Sequence, residues 1–241
     1  VIAVVRPTEG GIRMQSEGYP IIEVDISELL PVESEKNGSA SLIRGTAARF
    51  ADLDYAIGGF DAYTTSAVLK GSGISSSAAF EDMIGNILNY LYNDGKVDNV
   101  EIAKMSQKAE NQFFGKPCGL MDQVACAHGG IVAIDFADPS APIIRGVPFD
   151  ITAAGYALCI VNTGGNHADL TDDYASVPAE MKAVAAHFGK KVLRELDRAE
   201  VIAAIPALRK ELGDRAILRA LHFYAENRRV KALNEALKQN D

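Results

Sequence analysis

Two stretches of this sequence hold the residue types that phosphate chemistry uses. The first is Gly71-Ser72-Gly73-Ile74-Ser75-Ser76-Ser77-Ala78-Ala79, which opens a long apolar helical pattern running to about Tyr92. Glycines let the backbone take positive φ and come close to a ligand. The first N–H groups of a helix have no partner inside it and lie at the positive end of its dipole. Loop and helix start together make an anion site. The serine hydroxyls add donors to phosphate or oxygen ligands for Mg²⁺. A serine cap after a glycine turn is the plainer alternative. The Gly-x-x-x-x-Gly-Lys-Ser/Thr loop is absent, so any such site is not of the Walker type.

The second stretch is Ala109-Glu110-Asn111-Gln112-Phe113-Phe114-Gly115-Lys116-Pro117-Cys118-Gly119-Leu120-Met121-Asp122-Gln123, which sets two carboxylates twelve positions apart. Glu110 falls on a helix beside an apolar stripe, and Asp122 falls in a glycine-rich turn that starts a second helix. Phosphoryl transfer to a hydroxyl needs a metal ligand beside the triphosphate and a group that orients or deprotonates the acceptor. A separated acidic pair next to an anion loop could supply both. Taken singly, Glu110 reads as a solvated helix residue and Asp122 as a helix cap.

The elements that must position these residues follow from periodicity and turn chemistry. Ile2 to Val5 and Gly11 to Met14 flank a Pro-Thr-Glu-Gly turn and are expected to form a hairpin. Ile21 to Ile26 reads as a strand, as does Phe60 to Leu69. Ser41 to Leu53 is helical in pattern, with Ile43, Ala47 and Phe50 on one side. A helix capped near Asn99 carries Ile102, Met105, Ala109 and Phe113 at helical spacing. Strands are expected at Ile131 to Phe136 and Tyr156 to Val161. From about Asp173 onward the chain reads as helix, broken around Gly189, Pro206 and Gly213. This order is α+β.

Composition narrows the classes. With 24 Lys and Arg against 32 Asp and Glu, the net charge is −8. An acidic chain without a basic run has no electrostatic footprint for nucleic acid or an anionic membrane. No apolar run reaches the ~20 residues of a membrane span. Cys118, Cys126 and Cys159 are scattered without metal-ligand spacing, which reads as reduced thiols and a cytoplasmic location. His128, His167, His187 and His222 likewise lack metal spacing.

The quoted strings resemble the GHMP kinase superfamily, whose members include galactokinases, homoserine kinases and mevalonate kinases. Gly71 to Ala79 is similar to its phosphate-binding motif, the triple serine being the galactokinase form. Leu69 stands where relatives usually have proline. Glu110 to Gln123 is similar to the galactokinase signature Glu-Asn, Gly, Cys-Gly-(Ile/Leu)-Met-Asp-Gln. The resemblance implies transfer of the γ-phosphoryl group of ATP to the C1 hydroxyl of galactose. It matches Asp122 to the catalytic base, Glu110 and Ser77 to the Mg²⁺ site, and Gly71, Ser72, Gly73, Ile74, Ser75, Ser76 and Ser77 to the ATP phosphates. Gly119 and Asp122 match sugar contacts. Tyr174 matches a sugar-contacting tyrosine, although Gly164 to Asp173 departs from the usual string. His222 to Val230 resembles a family helix with a structural role.

The implied fold is the two-domain GHMP kinase fold: a ribosomal S5 domain 2-like ATP-binding α+β domain over 1–150, then a helical, ferredoxin-like domain over 151–241. It is expected to be incomplete at both ends. The family's N-terminal sugar-binding string does not occur before Val5, nor its C-terminal glycine-rich loop after Arg229. These 241 residues alone are therefore expected to lack activity. Partners are expected to be small molecules, ATP with Mg²⁺ and galactose. The sequence does not fix the oligomeric state. A neighbouring sugar kinase and a non-catalytic sugar sensor are the rival readings. A sensor is expected to have a damaged serine-alanine run, and Ser75 to Ala79 is intact here.

Overall fold

The structure is a computed structural model that describes residues 1–68, 73–161 and 171–239. Leu69, Gly71, Ser72 and the stretch from Gly164 to Leu170, with His167, lie outside the described residues. The described chain divides into two compact units. One holds Val1–Arg145 with Ile160 and Val161, the other Gly146–Cys159 and residues 171–239.

In the first unit a four-stranded sheet packs on helices. Its strands are β1 (Ile2–Thr8), β2 (Ile12–Ser16), β3 (Ile21–Val24) and β4 (Gly59–Thr65), in the order β1-β4-β2-β3. The expected β1–β2 hairpin does not form. β4 lies between the two strands, antiparallel to β1 with Val4 opposite Tyr63, and parallel to β2 with Met14 opposite Ala62. The glycines explain how β4 enters. A Cβ on Gly59 would lie 2.3 Å from the carbonyl oxygen of Gly10, so only glycine passes that close to the connection between β1 and β2.

Period-two alternation turns Ile12, Met14, Phe60 and Ala62 inward. They meet α1 (Ser39–Asp52), α2 (Ser76–Tyr92) and α3 (Asn99–Ala109), which contribute Ile43, Ala47, Phe50, Ile84, Leu88, Ile102 and Met105 to one core. The helical stripes expected in α1 and α3 are thus the buried ones. Asp98 caps α3, accepting a hydrogen bond from the backbone N–H of Val100 at 2.8 Å. Arg44 of α1 is buried and fastens the segment before the helix. Its guanidinium donates to both oxygens of Glu35, at 2.7 and 2.6 Å, and to the carbonyl oxygen of Asp25 at 2.6 Å. A fork of this kind keeps a buried charge fully partnered.

α4 (Met121–His128) packs on α2 and α3, and Leu120 and Val124 join Ala103 in a smaller core with residues of β5 (Ile131–Asp135) and β6 (Ile143–Val147). β5 and β6 pair as a two-stranded sheet. β6 escaped the sequence reading. The strand expected at Tyr156 to Val161 is not regular structure, and Tyr156, Leu158, Ile160 and Val161 are all exposed. The apolar run is present, but no described strand pairs with it, and β-propensity takes effect only against a partner.

In the second unit α5 (Thr171–His187), α6 (Arg198–Ala203) and α7 (Ile205–Gln239) bury Val184, Leu193, Val201, Leu208 and Ile217. α7 kinks at Gly213, whose φ of 78° only glycine adopts readily. Tyr224 donates its hydroxyl to the carbonyl oxygens of Leu193 and Leu196, at 3.0 and 3.2 Å. The His222 to Val230 stretch therefore has packing work to do within this unit.

Candidate active site

The described part of the glycine-serine loop delivers a helix start. Gly73 has φ +76°, and a Cβ there would meet nothing within 4 Å, so the backbone conformation and not crowding selects glycine. Ser75, at φ 62° and ψ 41°, is a left-handed N-cap of α2. A serine in that region costs of order 1 kcal/mol or more. Its side chain makes no capping hydrogen bond. The first N–H groups of α2 therefore keep their donor capacity.

Ser77 occupies the first turn of α2 and donates its hydroxyl to Glu110 Oε1 at 3.1 Å. Glu110 is buried at 3% exposure. It is not inside α3 as expected: α3 ends at Ala109, and Glu110–Phe114 form a single π-helical turn. The carbonyl oxygen of Glu110 accepts from the N–H groups of Gly115 and Lys116, at 3.0 and 3.2 Å. Such insertions re-aim side chains and recur at functional sites. Here the turn keeps Phe113 in the core while Glu110 reaches Ser77. α1 permits the approach through Gly45, where a Cβ would lie 2.8 Å from the Ala109 Cβ and 2.9 Å from the Phe113 ring.

Three side chains around Glu110 were missed in the sequence. Lys116 Nζ lies 3.5 Å from Glu110 Oε1. Gln123 Nε2 donates to Glu110 Oε2 at 3.0 Å and to Glu81 Oε2 at 3.3 Å. Glu81 is fully buried at 0% exposure, and burial together with the Glu110 charge pushes its carboxyl up to about 9. The helical repeat was the available signal, since Ser77 and Glu81 stand four apart on one face of α2. Next to Glu81, buried Asp82 is pushed up to about 7 by burial.

Asp122 lies in the first turn of α4 and is exposed. No hydrogen bond or ion pair engages it among the described residues. The loop before it is held by Asn111, which accepts from the Cys118 N–H at 2.7 Å, and by Gln107, which donates to the Cys118 carbonyl at 3.3 Å. Burial and then the Glu110 charge raise the Cys118 thiol well above its ordinary range. A Cβ on Gly119 would meet nothing within 4 Å, which leaves the backbone there open to close approach. The structure therefore gathers Ser77 and Glu110 into one cluster, with Asp122 on the adjoining helix of the same unit. Tyr174 opens α5 in the other unit and is exposed.

Among the described residues no helix is long and apolar enough to cross a membrane, and no group of three or more His, Cys, Asp and Glu could hold a metal ion by itself. The cluster nonetheless fits a divalent cation completed by a ligand's own oxygens. Its donors are a carboxylate and a hydroxyl, the hard oxygen ligands that Mg²⁺ takes in ones and twos beside substrate phosphates.

Residues 41–130 match the family described as GHMP kinases N terminal domain. The chain is 31% identical to a galactokinase of Streptomyces coelicolor, an alignment covering 100% of this chain and 62% of that protein. It is 34% identical to a galactokinase of Clostridium tetani, covering 82% of this chain and 50% of that one. Its fold matches the crystal structure of Lactococcus lactis galactokinase complexed with galactose, with a TM-score of 0.75 at 23% identity, over 98% of this chain and 61% of that chain. The α+β architecture is thus that of a GHMP kinase, and the chain spans about half to three fifths of the length of these relatives.

Proposed function

We propose, from the premise that residues 41–130 of this chain are a GHMP kinase N-terminal domain, that the full natural protein containing it is an ATP-dependent sugar kinase. Its substrate on this reading is galactose and its product galactose 1-phosphate. The observation that carries the reading is the pairing of Ser77 with Glu110 at 3.1 Å, directly behind an uncapped helix start. A phosphate site and a cation site then share one helix terminus.

On this reading the loop from Gly71 to Ser77 and the first N–H groups of α2 hold the phosphates of ATP. Glu110 and Ser77 hold Mg²⁺, which when bound draws charge from the transferring phosphoryl group. Lys116 supplies a second positive group to the same carboxylate oxygen. Asp122, exposed and without a partner among the described residues, orients the C1 hydroxyl of the sugar and accepts its proton as the phosphorus–oxygen bond forms. Gly119 lets the backbone approach the sugar, and Tyr174 is kept as a sugar contact on its match to the tyrosine of galactokinases.

The reading is tested by ADP release from ATP in the full protein with galactose, glucose and N-acetylgalactosamine, with phosphorus NMR locating the new phosphate. Galactose-dependent release with phosphate on C1 is expected. ADP release that no sugar stimulates would refute the reading, and a preference for another sugar would keep the kinase while replacing its substrate.

A further inference from the structure

Gln123 uses both of its N–H groups on carboxylates, one on Glu110 at 3.0 Å and one on Glu81 at 3.3 Å. All three side chains are at least nine-tenths buried, at 1%, 3% and 0% exposure for Gln123, Glu110 and Glu81. The orientation of the amide follows from charge. Turned over, its oxygen would face two carboxyl oxygens, and both amide hydrogens would lose their acceptors. Glu81 makes no other hydrogen bond within reach: its second oxygen, Oε1, has no partner among the described residues. A fully buried carboxyl that serves one amide is costly for stability alone, since an apolar residue of the same size would fill the place without that burden.

We propose that Glu81 is a positioning residue that acts through Gln123, fixing the amide so that Glu110 is held in the geometry in which it and Ser77 receive the divalent cation. This rests on the kinase reading of Glu110. The chain of action is Glu81 Oε2 to the Gln123 amide to Glu110 Oε2, leaving Glu110 Oε1, on which Ser77 and Lys116 converge, for the cation. Glu81 stands one helical turn after Ser77, so α2 carries both a ligand and the support of its partner ligand.

The test is Mn²⁺ affinity in the presence of ATP, read by electron paramagnetic resonance on the full protein, alongside turnover as a function of Mg²⁺. Groups that orient metal ligands commonly change affinity by about 10- to 100-fold. Glu81→Met is expected to weaken Mn²⁺ by about 10-fold and to raise the Mg²⁺ needed for half-maximal turnover equally, with the rate at saturating Mg²⁺ within about two-fold. Glu81→Gln keeps an acceptor for the same N–H and is expected to stay within about two-fold of wild type. In a Gln123→Met background, Glu81→Met should add nothing further.

Unchanged Mn²⁺ affinity in Glu81→Met, or effects of the two substitutions that multiply, would overturn the relay. If Glu81→Met does not fold, loss of affinity in Glu81→Gln as large as that in Gln123→Met would overturn it instead. Mn²⁺ binding that Glu110→Gln leaves untouched would remove the metal assignment, and the relay with it. Absence of sugar-dependent turnover in a wild type whose Mn²⁺ binding still depends on Glu110 would sink only the kinase reading.

Discussion

Asp82 offers a quantitative check on the packing behind the site. It lies on α2 at 3% exposure, and neither of its carboxyl oxygens has a hydrogen-bond partner among the described residues. Burial pushes its carboxyl from an ordinary 3.8 up to about 7. A carboxyl raised on folding favours the native state only while it is protonated. Its contribution is therefore whole below the unfolded value and is lost as pH rises towards the folded one. From pH 5 to pH 8 the unfolded chain has already released this proton, while the native chain holds it up to about 7. About two pH units at about 1.4 kcal/mol each give almost 3 kcal/mol, reduced to about 2 by relaxation of the site.

Asp82→Asn cannot ionise and escapes this loss. Relative to wild type, the variant should gain about 2 kcal/mol between pH 5 and pH 8, a shift in the Tm difference of about 4–8 °C for a chain of this size. The assay is thermal unfolding of both proteins at the two pH values and one ionic strength. A Tm difference that stays constant between pH 5 and pH 8 would show that Asp82 does not retain its proton, and the account of burial in α2 would fail.

Other outcomes follow from single contacts. Glu110→Gln and Ser77→Ala should each raise the Mg²⁺ needed for half-maximal turnover, and an unaltered Mg²⁺ curve with weakened galactose binding would reverse their assignment. Gly45→Val should destabilise by about 1–3 kcal/mol, because its side chain must enter space held by Ala109 and Phe113, as urea unfolding would register. Ser75→Gly should relieve about 1 kcal/mol of left-handed strain while weakening nucleotide binding, and a loss of stability would show that the serine side chain supports the turn. Cys118 should react with iodoacetamide far more slowly in the folded protein than in urea, since burial and Glu110 hold it as the thiol.

Much of this was legible before any coordinates, and the exceptions have physical causes. The stripes of α1 and α3 announced their buried faces because helical periodicity directly encodes a core, as Ile43, Phe50, Ile102 and Met105 show. Ser77 and Glu110 were assigned to one metal site from motif resemblance, and in the structure the Ser77 hydroxyl donates to Glu110. Strand order was not legible. Local turn chemistry favours a hairpin between β1 and β2, but β4, more than forty residues on, takes the place between them through Gly59. The π turn at Glu110 was hidden because Phe113 follows Ala109 by four residues, the spacing an uninterrupted α-helix would also show. Glu81 and Gln123 were overlooked for a different reason. Each is an ordinary polar residue in a helix until burial removes its water and leaves the other as its partner.

The most direct measurement is galactose-dependent ADP release by the full protein, wild type against Asp122→Asn, with ATP affinity determined on the same samples. The substitution keeps the shape of the side chain and removes its charge and basicity. Proton-accepting groups of this kind contribute about 10²–10⁴-fold to rate. The account predicts a loss of turnover in that range with nucleotide affinity unchanged within about two-fold. Near wild-type turnover in Asp122→Asn would contradict it.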